Sequence, residues 1–200
     1  MKDVKENPSS VRKKIVNAAR KVFLSKGLAQ SKLVDVSKKS GLTPTHIRYH
    51  FPEMETLFSE VLREVLDELK GQSVAAIRGQ GDPEKKMEAY IRAPFEWASR
   101  NPEYAQFWIY FYYQCLRSEE WRKFNTQIRL DGRERIASML FEGMAQGSFK
   151  SMPRAEVLDL ALEIQALITG QWVLCFSEEN QNPLKNADKC WGAVYQWVRK

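Results

Sequence analysis

Residues 33–51 read Leu33-Val-Asp-Val-Ser-Lys-Lys-Ser-Gly41-Leu-Thr-Pro-Thr-His-Ile-Arg-Tyr-His-Phe51. A short segment with helical apolar spacing, Leu33 to Ser40, stops at Gly41, and a second opens at Thr43-Pro44. Glycine supplies the left-handed backbone of a tight turn. Thr43 can cap the second helix, and Pro44 suits its first position, where the missing N–H needs no partner. Phe51-Pro52 closes it, because the residue before a proline is pushed out of the helical region. Val36, Leu42 and Ile47 are placed to form a small core, and Ser37 is small enough for two helices to cross closely. Two short helices about a glycine turn make a helix-turn-helix, whose second helix enters the DNA major groove by its N-terminal end.

The residues left outside that core suit the task. Thr43, Pro44, Thr45 and His46 lie in the first turn, where base edges would be met. Arg48 can make a bidentate contact to guanine O6 and N7. Tyr49 and His50 can donate to phosphates, and Ser31 and Lys32 at the start of the first helix complete the predicted contact set. His46 and His50 are also spaced i, i+4, as metal ligands on one helical face can be. No Cys, Asp or Glu in the motif is spaced to complete such a site, so neither a metal nor another cofactor is expected.

Outward from this motif the pattern stays helical, and no stretch alternates with period two between turn residues. Helices are predicted over 9–26, with Ser9 or Ser10 as cap and Gly27 as stop, and over 33–40, with Ser31 as cap. Others are predicted over 43–51, 53–78, 83–99, 102–116, 119–146, 153–177 and 184–199, about nine in all. Residues 1–60 hold 12 Lys and Arg against 6 Asp and Glu, whereas residues 61–200 hold 19 of each. The whole excess of positive charge therefore sits with the helix-turn-helix, which implies a polyanionic partner for that part alone. Residues 1–52, with the start of a linking helix over 53–62, are read as a DNA-binding domain, and residues 63–200 as a second, helical domain.

Three cysteines, Cys115, Cys175 and Cys190, are far apart and in no Cys-x-x-Cys pair, which fits a reducing compartment and argues against a zinc finger. The start carries no apolar leader, and the longest uncharged windows, 104–116 and 164–177, fall short of the ~20 apolar residues of a membrane span. A soluble, cytoplasmic protein with no membrane partner is expected. The glycine-rich loops and nucleophile or metal motifs of enzymes are absent from the sequence, so no catalytic residues are assigned.

Residues 9–62 resemble the DNA-binding domain of the TetR (tetracycline repressor) family. The resemblance is carried by Ala18-Ala19, Phe23 and Lys26-Gly27, then Asp35-Val36-Ser37 and Gly41-Leu42-Thr43, then Ile47-Arg-Tyr49-His50-Phe51-Pro52 and Glu55-Thr-Leu57. It implies an all-α chain with an N-terminal three-helix DNA-binding domain and a C-terminal helical domain for ligand and dimer. It further implies a homodimer, a palindromic operator on double-stranded DNA, and a small-molecule effector that switches DNA affinity. Three positions depart from the family pattern. Position 48, often aromatic, is Arg; position 54, often a phosphate-binding Lys, is Met between Glu53 and Glu55; position 37, usually Ala, is Ser.

The C-terminal two thirds is read from its apolar residues. Residues 95–113 are dense in aromatics, and one helix cannot turn all of Phe107 to Tyr113 toward one core. Trp97, Tyr104, Trp108, Phe111, Tyr112 and Trp172 are candidates to line an effector pocket, with Gln114 and Arg129 among its polar groups. Helix 153–177 is apolar nearly all round, so it needs two neighbours. Leu160, Ile164, Leu167 and Ile168, with Trp191, Val194 and Val198 of the last helix, are candidates for a four-helix dimer interface. Glu163 within that helix is expected to pair with an arginine or to meet a ligand. The reading is a ligand-responsive repressor. Its rivals are an activator, a ligand-independent DNA-binding factor, and a helical protein-interaction module that no longer binds DNA.

Overall fold

The computed structural model describes residues 8–179 and 181–200. Among them the regular elements are helical: α1 (Pro8–Lys26), α2 (Leu33–Ser40), α3 (Pro44–His50), α4 (Met54–Ile77), α5 (Pro83–Arg100), a 3-10 turn (Pro102–Tyr104), α6 (Ala105–Arg117), α7 (Glu119–Ala145), α8 (Arg154–Ser177) and α9 (Pro183–Val198). The chain divides into two compact units between Asp67 and Glu68, both within α4.

The caps explain most of the boundaries. Thr43 Oγ1 accepts from His46 N at 3.2 Å, with Pro44 at the first helical position. Asp82 and Asn182 each accept from two backbone N–H groups ahead of Pro83 and Pro183. Two predicted caps are corrected. α1 already begins at Pro8, so Ser9 and Ser10 are helical. Ser31 does not cap α2; its hydroxyl donates to Gly27 O at 2.7 Å, and Asp35 Oδ2 instead accepts from Lys32 N at 3.1 Å.

The first unit closes around Ile15, Phe23, Val36, Ile47, Phe51, Leu57 and Leu62, all at most 1% exposed. Phe23 and Phe58 meet edge to face at 5.5 Å. In the second unit α5 packs on α9 and α7, and α8 lies between α7 and α9. Met87, Ile91, Phe95, Phe107, Phe111, Leu140, Val157, Ala161, Cys190 and Val194 are fully buried there. Lys86 bridges α5 to Glu142 of α7 at 2.7 Å, and Arg92 bridges it to Asp188 of α9. α5 runs through Pro94 without stopping. The lost rung of its ladder is carried by burial on both flanks, where Ala93 and Phe95 are 5% and 0% exposed.

α8 meets the length and composition of a membrane span, with a mean hydropathy of 1.3 over its most apolar stretch, which the uncharged-window reading of 164–177 missed. Its Val157–Ala161–Ile164–Trp172 line is buried inside its own unit.

Candidate functional site

The helix-turn-helix holds its predicted contact residues outward. Ile47 is fully buried and pins α3, while Thr43, Pro44, Thr45, His46, Arg48 and Tyr49 are exposed and His50 is half-buried. Tyr49 stands 83% exposed, an aromatic ring held in solvent beside His50 at 5.2 Å. Lys32 is exposed and Ser31 half-buried at the start of α2. His46 and His50 lie 5.5 Å apart, yet no three potential ligands group around a metal among the described residues.

The turn is built by three contacts. Gly41 adopts φ 70°, the left-handed region that only glycine enters without strain. Ser37 Oγ donates to Leu42 O at 2.6 Å, and Leu42 N donates to Ser40 Oγ at 3.3 Å. The hydroxyl at position 37, where the family pattern has Ala, thus stitches the turn. Leu42 itself is only half-buried, so the small core is Val36 and Ile47.

Sequence reasoning missed Arg12. Its guanidinium lies 4.2 Å over the Phe51 ring, donates to His50 O at 3.3 Å and pairs with Glu60 at 3.2 Å. A cation at the last carbonyls of α3 opposes their partial negative charge and fixes the end of that helix. The charge surplus is also located. Lys13, Lys14, Lys21 and Lys39 line a cleft of about 500 Å³ on α1 and α2. Lys26 pairs with Asp35 at 2.5 Å and, with the Lys32 N–H, holds that carboxyl below its usual range.

In the second unit the aromatic candidates fall into two groups. Trp108 gathers Tyr112, Trp172 and Phe111 at ring distances of 5.6, 5.4 and 6.0 Å. Arg129 joins them, since its charge opposes the effect of burial, which pushes the Tyr112 phenol up. Trp97 and Tyr104 form the other group, 5.5 Å apart, where Trp97 Nε1 donates to Glu68. Gln114 is half-buried and has no side-chain partner among the described residues.

The first group contains unsatisfied polar atoms. Trp108 Nε1, Tyr112 OH and Gln165 Oε1 are buried and find no hydrogen-bond partner among the described residues. Thr169 Oγ1, beside the Tyr112 hydroxyl, is already engaged: it accepts from Arg129 Nη1 at 2.7 Å and donates to Gln165 O at 2.8 Å. Burial has the larger effect on the Tyr112 phenol, and the Arg129 charge and Thr169 both oppose it by favouring the ionised form. Gln165 and Thr169 were not singled out from the sequence. Their signal was an amide and a hydroxyl side chain four apart in the uncharged part of α8, one turn before Trp172. Glu163, chosen instead, is exposed on α8 and meets neither an arginine nor this group.

The interface candidates need correction. Ile164, Val194 and Val198 are 0% exposed and Leu160 8%, so they belong to the core of their own unit and cannot meet a second chain. Leu167, Ile168 and Trp191 are half-buried. The outer side of α8 instead carries Leu158, Leu162 and Leu174 at 47%, 49% and 43% exposed, with Ala166 and Gly170 also outward. Leu184 of α9 is 41% exposed, and the Cβ positions of Gly170 and Gly192 are open.

Residues 15–61 match the model of the bacterial regulatory proteins of the tetR family. The chain is 30% identical over 112 residues to the HTH-type transcriptional regulator BetI of Rhizobium meliloti, covering 56% of this chain and 55% of that protein. It thus spans about half the length of that relative. It is 27% identical over 150 residues to the HTH-type transcriptional repressor KstR2 of Mycolicibacterium smegmatis, covering 74% and 72%. Among solved structures, a protein of Saccharomonospora viridis described as a transcriptional regulator, in complex with choline, superposes with a TM-score of 0.84 at 16% identity, over 96% of this chain and 99% of that one. A TetR transcription regulator of Haloarcula marismortui gives 0.83 at 14% identity, over 96% and 100%. At such identities the two structures show the fold, across both units. Over its helix-turn-helix segment, residues 15–61, the chain is thus similar to the TetR family of bacterial regulatory proteins.

Proposed function

We propose that the protein is a homodimeric, DNA-binding repressor of transcription that leaves a palindromic operator when a small effector binds its second unit. The observation that carries this is the outward face of α3, where Thr45, Arg48 and Tyr49 are exposed over a buried Ile47 within the family-matched segment. A tyrosine left 83% exposed beside two threonines and an arginine suits contact with bases and phosphates. Repression is favoured over activation by the relative named as a repressor.

Dimerisation is supported by the apolar outer side of α8, continued by Leu184. Association of that face with itself would place two helices from each copy in a four-helix bundle. An effector is supported by the aromatic group around Trp108 and by the choline held in a neighbour of the same fold. Two recognition helices must sit ~34–36 Å apart to use both half-sites. An effector therefore shifts DNA affinity only by its differential affinity for two spacings of those helices. α4 continues from the first unit into the second and is the covalent route for such a change.

The test is selection from random duplex DNA with the full chain, followed by titration of the winning sequence. An inverted repeat is expected. Return of no enriched motif, with binding equal on all duplexes, rejects the reading.

A further inference from the structure

We propose that the effector is a carboxylate carried on a flat or alkyl apolar body, bound by Trp108, Tyr112, Arg129 and Gln165 alongside the contacting rings of Trp108 and Trp172, and not a quaternary ammonium. This rests on the reading of the second unit as an effector-binding domain and adds the chemistry of what it binds.

Three buried polar atoms, Trp108 Nε1, Tyr112 OH and Gln165 Oε1, stand together without a partner among the described residues. Buried polar groups are almost always hydrogen-bonded, and each exception costs free energy that a ligand can recover. Trp108 Nε1 can only donate, and Tyr112 OH can donate. Gln165 has its orientation set by its other end, because Nε2 donates to Arg129 O at 3.1 Å. Reversing the amide would set two oxygens together, so Oε1 is the free end and accepts. The protein thus offers two donors and one acceptor in one place.

Charge decides between ligand classes. Arg129 gives one N–H to Thr169 Oγ1, and among the described residues no carboxylate pairs with it. Its field reaches the Tyr112 hydroxyl. Aromatic rings alone would favour a cation through their faces. A guanidinium beside those rings opposes a cation and favours a carboxylate, which it can hold through two parallel N–H bonds. The apolar side of the site is the contacting pair Trp108 and Trp172, 5.4 Å apart between centroids, with Phe176 packed 4.7 Å from Trp172, so the body of the ligand lies along this aromatic row. That surface takes an aromatic ring or an acyl chain. Gln165 Oε1 accepts a hydroxyl or N–H on the same molecule, or the proton of a water that bridges to it.

The experiment uses the full chain and tryptophan fluorescence, with calorimetry as a second readout. The probes are benzoate, phenylacetate, indole-3-acetate and octanoate, the uncharged amides of phenylacetate and indole-3-acetate, and choline. At least one acid is expected to saturate, its amide to bind about tenfold more weakly, and choline not to displace it. Arg129→Gln should erase the preference for acid over amide. Trp108→Phe, which keeps a ring and removes the N–H, should weaken both while leaving the fold intact. Saturation by choline in preference to every acid, an acid-to-amide ratio unchanged in Arg129→Gln, or no saturation by any acid overturns the proposal. Its failure is separable from that of the repressor reading. An acid that binds but leaves DNA affinity unchanged rejects effector control and keeps the site. Choline releasing DNA rejects the carboxylate and keeps effector control.

Discussion

Gly132 on α7 yields the place of its missing Cβ to the Gln165 amide on α8: a Cβ built there would stand 2.5 Å from Gln165 Nε2 and 3.6 Å from the Tyr90 hydroxyl. The approach is what lets that nitrogen reach Arg129 O and leaves Gln165 Oε1 turned inward. Gly132→Ala should therefore displace the amide and break its bond to Arg129 O, with little net change in stability because alanine favours the helix. It should weaken carboxylate binding more than Gly170→Ala does, since the Gly170 Cβ position is open. Urea unfolding and fluorescence titration of the two variants measure both effects. Equal titrations for the two would remove Gly132 from any role in the site.

Arg48 is exposed on α3 and points outward from the helix that Ile47 anchors. Arg48→Ala should cost ~1–3 kcal/mol on the selected duplex and relax preference at one base pair in each half-site. Arg12→Ala should act differently. It frees the end of α3 by removing the contacts to His50 O, Phe51 and Glu60, so it should weaken all duplexes together and lower the melting temperature. Binding profiles on a set of single-base variants separate the two patterns.

The outer and inner sides of α8 make opposite predictions. Leu162→Glu sets a charge on a residue already 49% exposed, so the folded chain should survive as a 23.3 kDa monomer by light scattering. Ile164→Glu places an unpaired carboxylate in a site that is 0% exposed, and should cost more than ~3 kcal/mol and abolish the fold. Wild type running as a monomer at micromolar concentration would leave the outer leucines without this explanation.

Cys190 is fully buried on α9, and burial pushes its thiol from 9.0 up to about 12. The folded value exceeds the unfolded one, so this contribution to stability is whole below pH 9 and is lost as pH rises toward 12. In that window stability should fall by about 1 kcal/mol per pH unit from this group. The slope should shrink in Cys190→Ala, measured by urea midpoints on the alkaline side. Near neutral pH, maleimide should label Cys190 only after unfolding, because the thiolate is the reactive form.

The helix-turn-helix was legible because each of its signals has a local cause: Gly41 for a left-handed turn, Thr43 and Pro44 for a start, Ile47 for the buried side. The other helices were legible from periodicity and from Asp82-Pro83 and Asn182-Pro183. What failed depended on distant partners. The caps of α1 and α2 were misplaced, because Ser31 turns back to Gly27 O and Asp35 takes the Lys32 N–H. On α8 both sides are apolar, so no pattern ranks Ile164 against Leu162; only the presence of α7 and α9 does. Gln165 and Thr169 mattered through Arg129, 36 and 40 residues earlier in the chain. Arg12 acts 38 residues from His50.

The same α8 bears on how the chain is made. It is 24 residues long and apolar enough to pass for a membrane-crossing segment, and α9, which covers part of it, follows it in the chain. Each newly synthesised molecule therefore passes through an interval, after α8 has left the ribosome and before α9 has docked, in which α8 is uncovered. In that interval its leucines are open to chaperones, to membrane-targeting factors and to neighbouring nascent chains. Loosening α9, as Val194→Ala would by opening a site that is 0% exposed, should lengthen that exposure and raise the fraction lost to aggregation.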